Sequence, residues 1–173
     1  RIIRELGPLA IVAVVVGALT LWLLDTNPGV GRWVLAAILF GHGWVHLMFL
    51  FPRPAPSEGG KPATDKPATG KPAADWPFDL RASWVATRTG SGPRAFVAAG
   101  RVLALVTFVL FAMAALATAG ILVPAAWWQG LVVASSLASL AMLVVWFAPM
   151  LLLGILIDIA LVWLAIAGPW SPA

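Results

Sequence analysis

The chain is 173 residues long, 61% hydrophobic and only 10% charged, with a mean hydropathy of +0.96. Soluble globular domains carry about 25% charged residues, so this composition excludes that class. No cysteine is present, which excludes disulfides, thiolate metal sites, iron–sulfur clusters and thiol nucleophiles. The net charge of +4 does not point to nucleic acid, because the basic residues flank apolar runs where topology and anionic headgroups account for them.

Apolar runs near the ~20 residues needed to cross ~30 Å of hydrocarbon follow one another along the chain. The first covers roughly Leu9 to Leu24. Its basic start resembles a signal peptide, but the apolar stretch is longer than a usual signal core and no small-x-small cleavage site follows. A retained first helix is expected, ending in a turn at Asp25, Asn27, Pro28 and Gly29. The second span runs from Trp33 to Phe51, completing a hairpin unit over residues 1–52.

Residues 53–75 contain "KPATDKPATGKPAAD", a five-residue unit written three times without apolar periodicity. Its prolines favour extended, solvated backbone, and a disordered linker is expected. In 76–95, Trp76, Phe78, Leu80, Trp84 and Val85 alternate with Asp79, Arg81 and Arg88. Two readings fit: a segment lying on the membrane surface, or a cap over that end of the bundle.

Residues 96–173 hold three more spans, at about 96–123, 126–147 and 150–167, separated by Pro124 and Pro149. Proline removes a donor and disfavours helix in the residue before it. The expected fold is therefore an all-α, polytopic membrane bundle of five transmembrane helices. Ten of the eleven lysines and arginines fall on one side of this threading, and only Arg32 on the other. The positive-inside rule then puts the N-terminus and the long loop in the cytoplasm and the C-terminus outside the plasma membrane. Trp22, Trp33, Trp127, Trp128 and Trp170 fall at the outer interface, where aromatic belts form.

Ionisable residues inside a span are costly and are functional candidates by default. They are His42 and His46 in the second span, Asp158 in the fifth and Arg101 in the third. At ~1.5 Å per residue, His42 lies ~13 Å and His46 ~8 Å from the inner end of their span, Asp158 ~12 Å and Arg101 ~6–8 Å. His42 is thus level with Asp158, and His42 and His46 share a helix face. Gly41 and Gly43 offer close approach to another backbone or a flat ligand, and Gly154 is a small residue one turn below Asp158.

Three chemistries suit this constellation. The i, i+4 histidines with Asp158 supply three ligands for a transition metal with an open position, although the glutamate that makes such a helix hydrolytic is absent. One histidine can serve a haem or chlorophyll-type tetrapyrrole axially, whereas two on one face cannot sandwich a single iron. A proton relay through His42, His46 and Asp158 is the third. The bland alternative is interhelical hydrogen bonding that sets bundle register, and Ser135 and Ser139 in the fourth span read as packing residues in the same way. No Gly-x-Ser-x-Gly elbow or phosphate-binding glycine loop occurs.

"HGWVHL" from His42 to Leu47, "SWV" from Ser83 to Val85 and "SLAMLVVWFAPMLLLGILID" from Ser139 to Asp158 together resemble a loose group of small, uncharacterised bacterial multi-pass membrane proteins. The resemblance implies that His42, His46 and Asp158 form one constellation and implies no activity. The expected function is a non-enzymatic accessory or assembly component of a membrane system, with partners in the bilayer, other membrane subunits or copies of itself. Its His/His/Asp site would take a metal or tetrapyrrole. The alternative is a small proton- or ion-coupled transporter using the same residues.

Overall fold

The computed structural model describes residues 2–51, 77–90, 92–168 and 170–172. The repeat-containing linker over 53–75 and Trp76 lie outside the described residues. The described residues are helical and contain no strand: α1 Ile2–Thr26, α2 Pro28–His46, a short α3 Trp84–Thr89, α4 Pro93–Ala119, α5 Trp128–Val145 and α6 Leu152–Ala167. Among the described residues five stretches are long and apolar enough to cross a membrane: Gly7–Thr26, Pro28–Leu50, Arg94–Ala119, Ala125–Val145 and Pro149–Ala167.

Local chemistry sets the boundaries. A single residue, Asn27, separates α1 from α2; its side chain accepts from the Val30 amide, and Pro28 occupies the first turn, where no amide is needed. The second span therefore begins five residues earlier than its apolar run. The third ends four residues earlier than expected, at Ala119 rather than Val123. Gly120 there takes a left-handed conformation (φ 71°), and the amides of Gly120 and Ile121 close on the carbonyls of Ala117 and Leu116.

Helix α4 is central, packing against α2 on one side and α5 on the other; α6 packs on α5 and α1 on α2. The interior is layered. Leu35, Leu39, Phe111, Ala114, Val132 and Leu161 belong to one apolar cluster. Phe49, Leu80, Ala104, Met142, Trp146 and Leu151 belong to a second, at the end carrying residues 77–90, here termed the loop end. Between these clusters, on each of α2, α4, α5 and α6, come buried polar side chains: His46 with His42 beside it, Thr107, Ser135, Ser136, Ser139 and Asp158. A polar layer thus crosses the bundle between two apolar ones.

Residues 77–90 cap the loop end of α5. Ser83 Oγ donates to the Val145 carbonyl at 3.2 Å and Trp84 Nε1 to Val144 at 2.7 Å, while Trp146 Nε1 donates to Leu80 at 2.8 Å. The last carbonyls of a helix have no intrahelical partner, and two of those in α5 find one here. Ser83 also accepts from the Ala86 amide and so starts α3.

Candidate functional site

The polar layer holds one connected chain of side chains. His42 Nε2 lies 3.0 Å from Asp158 Oδ1, joining α2 to α6. Ser139 Oγ of α5 is 2.5 Å from Asp158 Oδ2 and 2.8 Å from His46 Nε2. His46 Nδ1 sits 3.1 Å from the backbone oxygen of His42, one turn back on the same helix. Asp158 and Ser139 are fully buried, His46 is 2% exposed and the His42 side chain 9%.

Counting hydrogens constrains this chain. A neutral imidazole has one N–H and one lone pair, and a hydroxyl has one O–H to give. The His42 carbonyl can only accept, so His46 Nδ1 must carry a proton, and with Asp158 Oδ1 unprotonated His42 presents Nε2–H to it. If Asp158 were ionised and both imidazoles neutral, Ser139 would face two acceptors with a single hydrogen. All four contacts become hydrogen bonds at once only when the chain holds one further proton. Two placements satisfy them. With the proton on His46, Nε2–H donates to Ser139 and Ser139 donates to Asp158. With it on Asp158 Oδ2, the carboxyl donates to Ser139 and Ser139 donates to His46 Nε2. Exchanging them moves two hydrogens through Ser139 and leaves the heavy atoms in place.

The surroundings are aromatic. Phe111 of α4 meets His42 edge-on, ring centroids 4.9 Å apart, and stacks on His46 at 6.1 Å with planes tilted 28°. Gly43 permits this: a Cβ there would fall 2.6 Å from the Phe111 Cβ. The close approach expected at Gly43 is therefore made by α4 and its phenyl ring, which occupy the side where a flat ligand would lie. Gly41 is exposed, and a Cβ added there would meet nothing within 4 Å, whereas a Cβ at Gly154 would fall 3.0 Å from Leu143 Cδ1 of α5.

Comparison with protein-family models, with curated proteins and with solved structures returns no match. The site must stand on its own geometry. His42, His46 and Asp158 come together, but Ser139 is interposed between the second histidine and the carboxylate. Among the described residues no group of three His, Cys, Asp or Glu side chains is placed to hold a metal ion. Arg101 does not join the site. It is exposed at the loop end, lining a surface groove with Arg81 and Arg94. Its depth count was compatible with the histidines, but its direction around α4 is outward.

Ser139 is the residue the sequence reading assigned to packing. A signal for it existed: Ser139 and Asp158 lie ten and nine residues either side of Pro149, which turns α5 into α6. In an antiparallel pair, such mirrored positions are level.

Proposed function

We propose that this multi-pass membrane protein is proton-coupled, with Asp158, Ser139 and His46 holding one exchangeable proton in the bundle core. The observation that carries the reading is the hydrogen count: the contacts need one extra proton and can be satisfied with it at either end of the chain. Two further hydroxyls extend the polar layer along the helices. Thr107 lies about 6 Å from Phe111 toward the loop end of α4, and Ser136 about 4.5 Å from Ser139 in the opposite sense along α5. Both hydroxyls are buried without a hydrogen-bond partner among the described residues. In the topology that goes with this reading, the N-terminus and long loop are cytoplasmic and the C-terminus outside the plasma membrane, as the charge bias supports.

A second reading has its own support. His42 Nε2, both nitrogens of His46, Ser139 Oγ and both carboxylate oxygens of Asp158 each have a partner within the chain, which suits a register lock in a non-enzymatic accessory or assembly component. The likeness to small bacterial membrane proteins with an HGxxHL span is compatible with either.

Proteoliposomes carrying an entrapped pH-sensitive dye separate the two. Under a clamped voltage, the wild-type protein should collapse an imposed pH gradient faster than protein-free vesicles, and Asp158→Asn should not. Equal rates for wild-type and empty vesicles, or for wild-type and Asp158→Asn, would leave the register lock as the function of the cluster.

A further inference from the structure

At the loop end, outside the polar layer, a groove of about 590 Å³ is lined by Arg81, Arg94, Val97, Ala98 and Arg101. All three arginines are exposed, and among the described residues no carboxylate forms an ion pair with any of them. The nearest acidic residue in sequence, Asp79, turns Oδ1 to the Arg81 backbone amide at 2.9 Å. Arg94 and Arg101 are seven residues apart on α4, so they share a face about 10.5 Å apart along the axis.

The third arginine is brought to this face by a built contact. Gly100 is buried, and a Cβ there would fall 2.5 Å from Leu80 Cδ2 and 2.9 Å from Trp146 Cζ2. The missing side chain admits Leu80 between α4 and α5, and Trp146 Nε1 ties its carbonyl. Arg81, the next residue, is thereby placed beside α4. Beyond Arg101 the helix surface becomes apolar, with Val102, Leu105 and Val109 all exposed.

This is a cationic head on an apolar track at the end of a membrane span. We propose that the groove binds one anionic glycerophospholipid, its phosphate held by Arg81, Arg94 and Arg101 and an acyl chain lying along Val102, Leu105 and Val109. Guanidinium forks match phosphate oxygens in pairs, and three cations without a counter-charge among the described residues select a net anionic headgroup over a zwitterionic one.

Native mass spectrometry of the full chain in detergent micelles tests this, with dioleoyl phosphatidylglycerol, dioleoyl phosphatidylcholine and inorganic phosphate as probes. One phosphatidylglycerol should be retained in preference to phosphatidylcholine. Its affinity should fall roughly fivefold for each guanidinium removed. Arg101→Gln and the triple change R81Q/R94Q/R101Q give the series, and Arg32→Gln, at the opposite end, should bind as the wild type does. Equal retention of the two lipids, or a triple variant that binds undiminished, would overturn the site. Displacement of the lipid by inorganic phosphate at matched concentration would show an oxyanion site rather than a lipid site, and would overturn it equally.

Discussion

Gly43 of α2 and Phe111 of α4 are in such close contact that a methyl group at position 43 would come within 2.6 Å of the Phe111 Cβ. The atom it would strike is the root of a side chain, fixed to the α4 backbone, so rotation of the ring cannot relieve the clash. The two helices would have to separate, carrying Phe111 away from both imidazoles. Gly43→Ala should therefore cost about 1–3 kcal/mol, the usual range for overpacking a filled core. Unfolding titrations in mixed micelles measure it. Phe111→Ala should cost stability through its cavity but keeps the Cβ that is struck, so most of the Gly43→Ala defect should persist beside it; Phe111→Gly, which removes that atom, should relieve part of the defect, and the double-mutant cycle shows the coupling.

Asparagine at position 158 can reproduce one of the two proton placements. Its oxygen accepts from His42 Nε2–H, its amide donates to Ser139, and Ser139 donates to His46, so all four contacts survive. Asp158→Asn should retain near wild-type stability while carrying no exchangeable proton. Asp158→Ala leaves His42 and Ser139 without their partner inside the bundle and should lose about 1–3 kcal/mol. Parallel thermal melts of the two variants check this. If Asp158→Asn is as unstable as Asp158→Ala, the hydrogen count described above is wrong.

Much of this arrangement was legible along the chain because a helix converts residue number into depth. The ~1.5 Å rise set His42 level with Asp158, and the two meet at 3.0 Å. Depth is only one coordinate. Arg101 shared it approximately and faces outward, since the direction around a helix depends on which neighbour each face meets. Hydropathy says little about that where nearly every residue is apolar. Ser139 escaped for a related reason: a serine in a span is as readily a packing residue as a bridge, and only the partners on α2 and α6 distinguish them. The helix ends at Asn27–Pro28 and Gly120 were written in local chemistry, but apolar runs blur across such residues.

The donor set also bears on metal binding. Each imidazole nitrogen and carboxylate oxygen in the four contacts is turned to a partner, and a metal at His46 and Asp158 would have to displace Ser139 from between them. Elemental mass spectrometry of mildly purified protein should find no stoichiometric metal. His42→Ala/His46→Ala should match the wild type. One iron, zinc, copper or magnesium per chain, lost in the double variant, would replace the proton chain with a cofactor site.

Ser139 lies between His46 and Asp158 and so distinguishes a relay from a register lock. Ser139→Ala leaves His42 bonded to Asp158 Oδ1 but removes the hydroxyl that reaches both Asp158 Oδ2 and His46 Nε2. The stability lost should be small, about 0.6–2 kcal/mol, because interhelical hydrogen bonds within membranes are individually modest. The loss in proton movement should be complete, since neither end of the chain can then hand its proton to the other. Vesicle flux and thermal melts on the same preparation give both values. A register lock predicts that stability alone changes. A relay predicts that Ser139→Ala matches Asp158→Asn in flux with its carboxylate intact, and that Ser139→Thr, which restores a hydroxyl at the same position, recovers part of the rate.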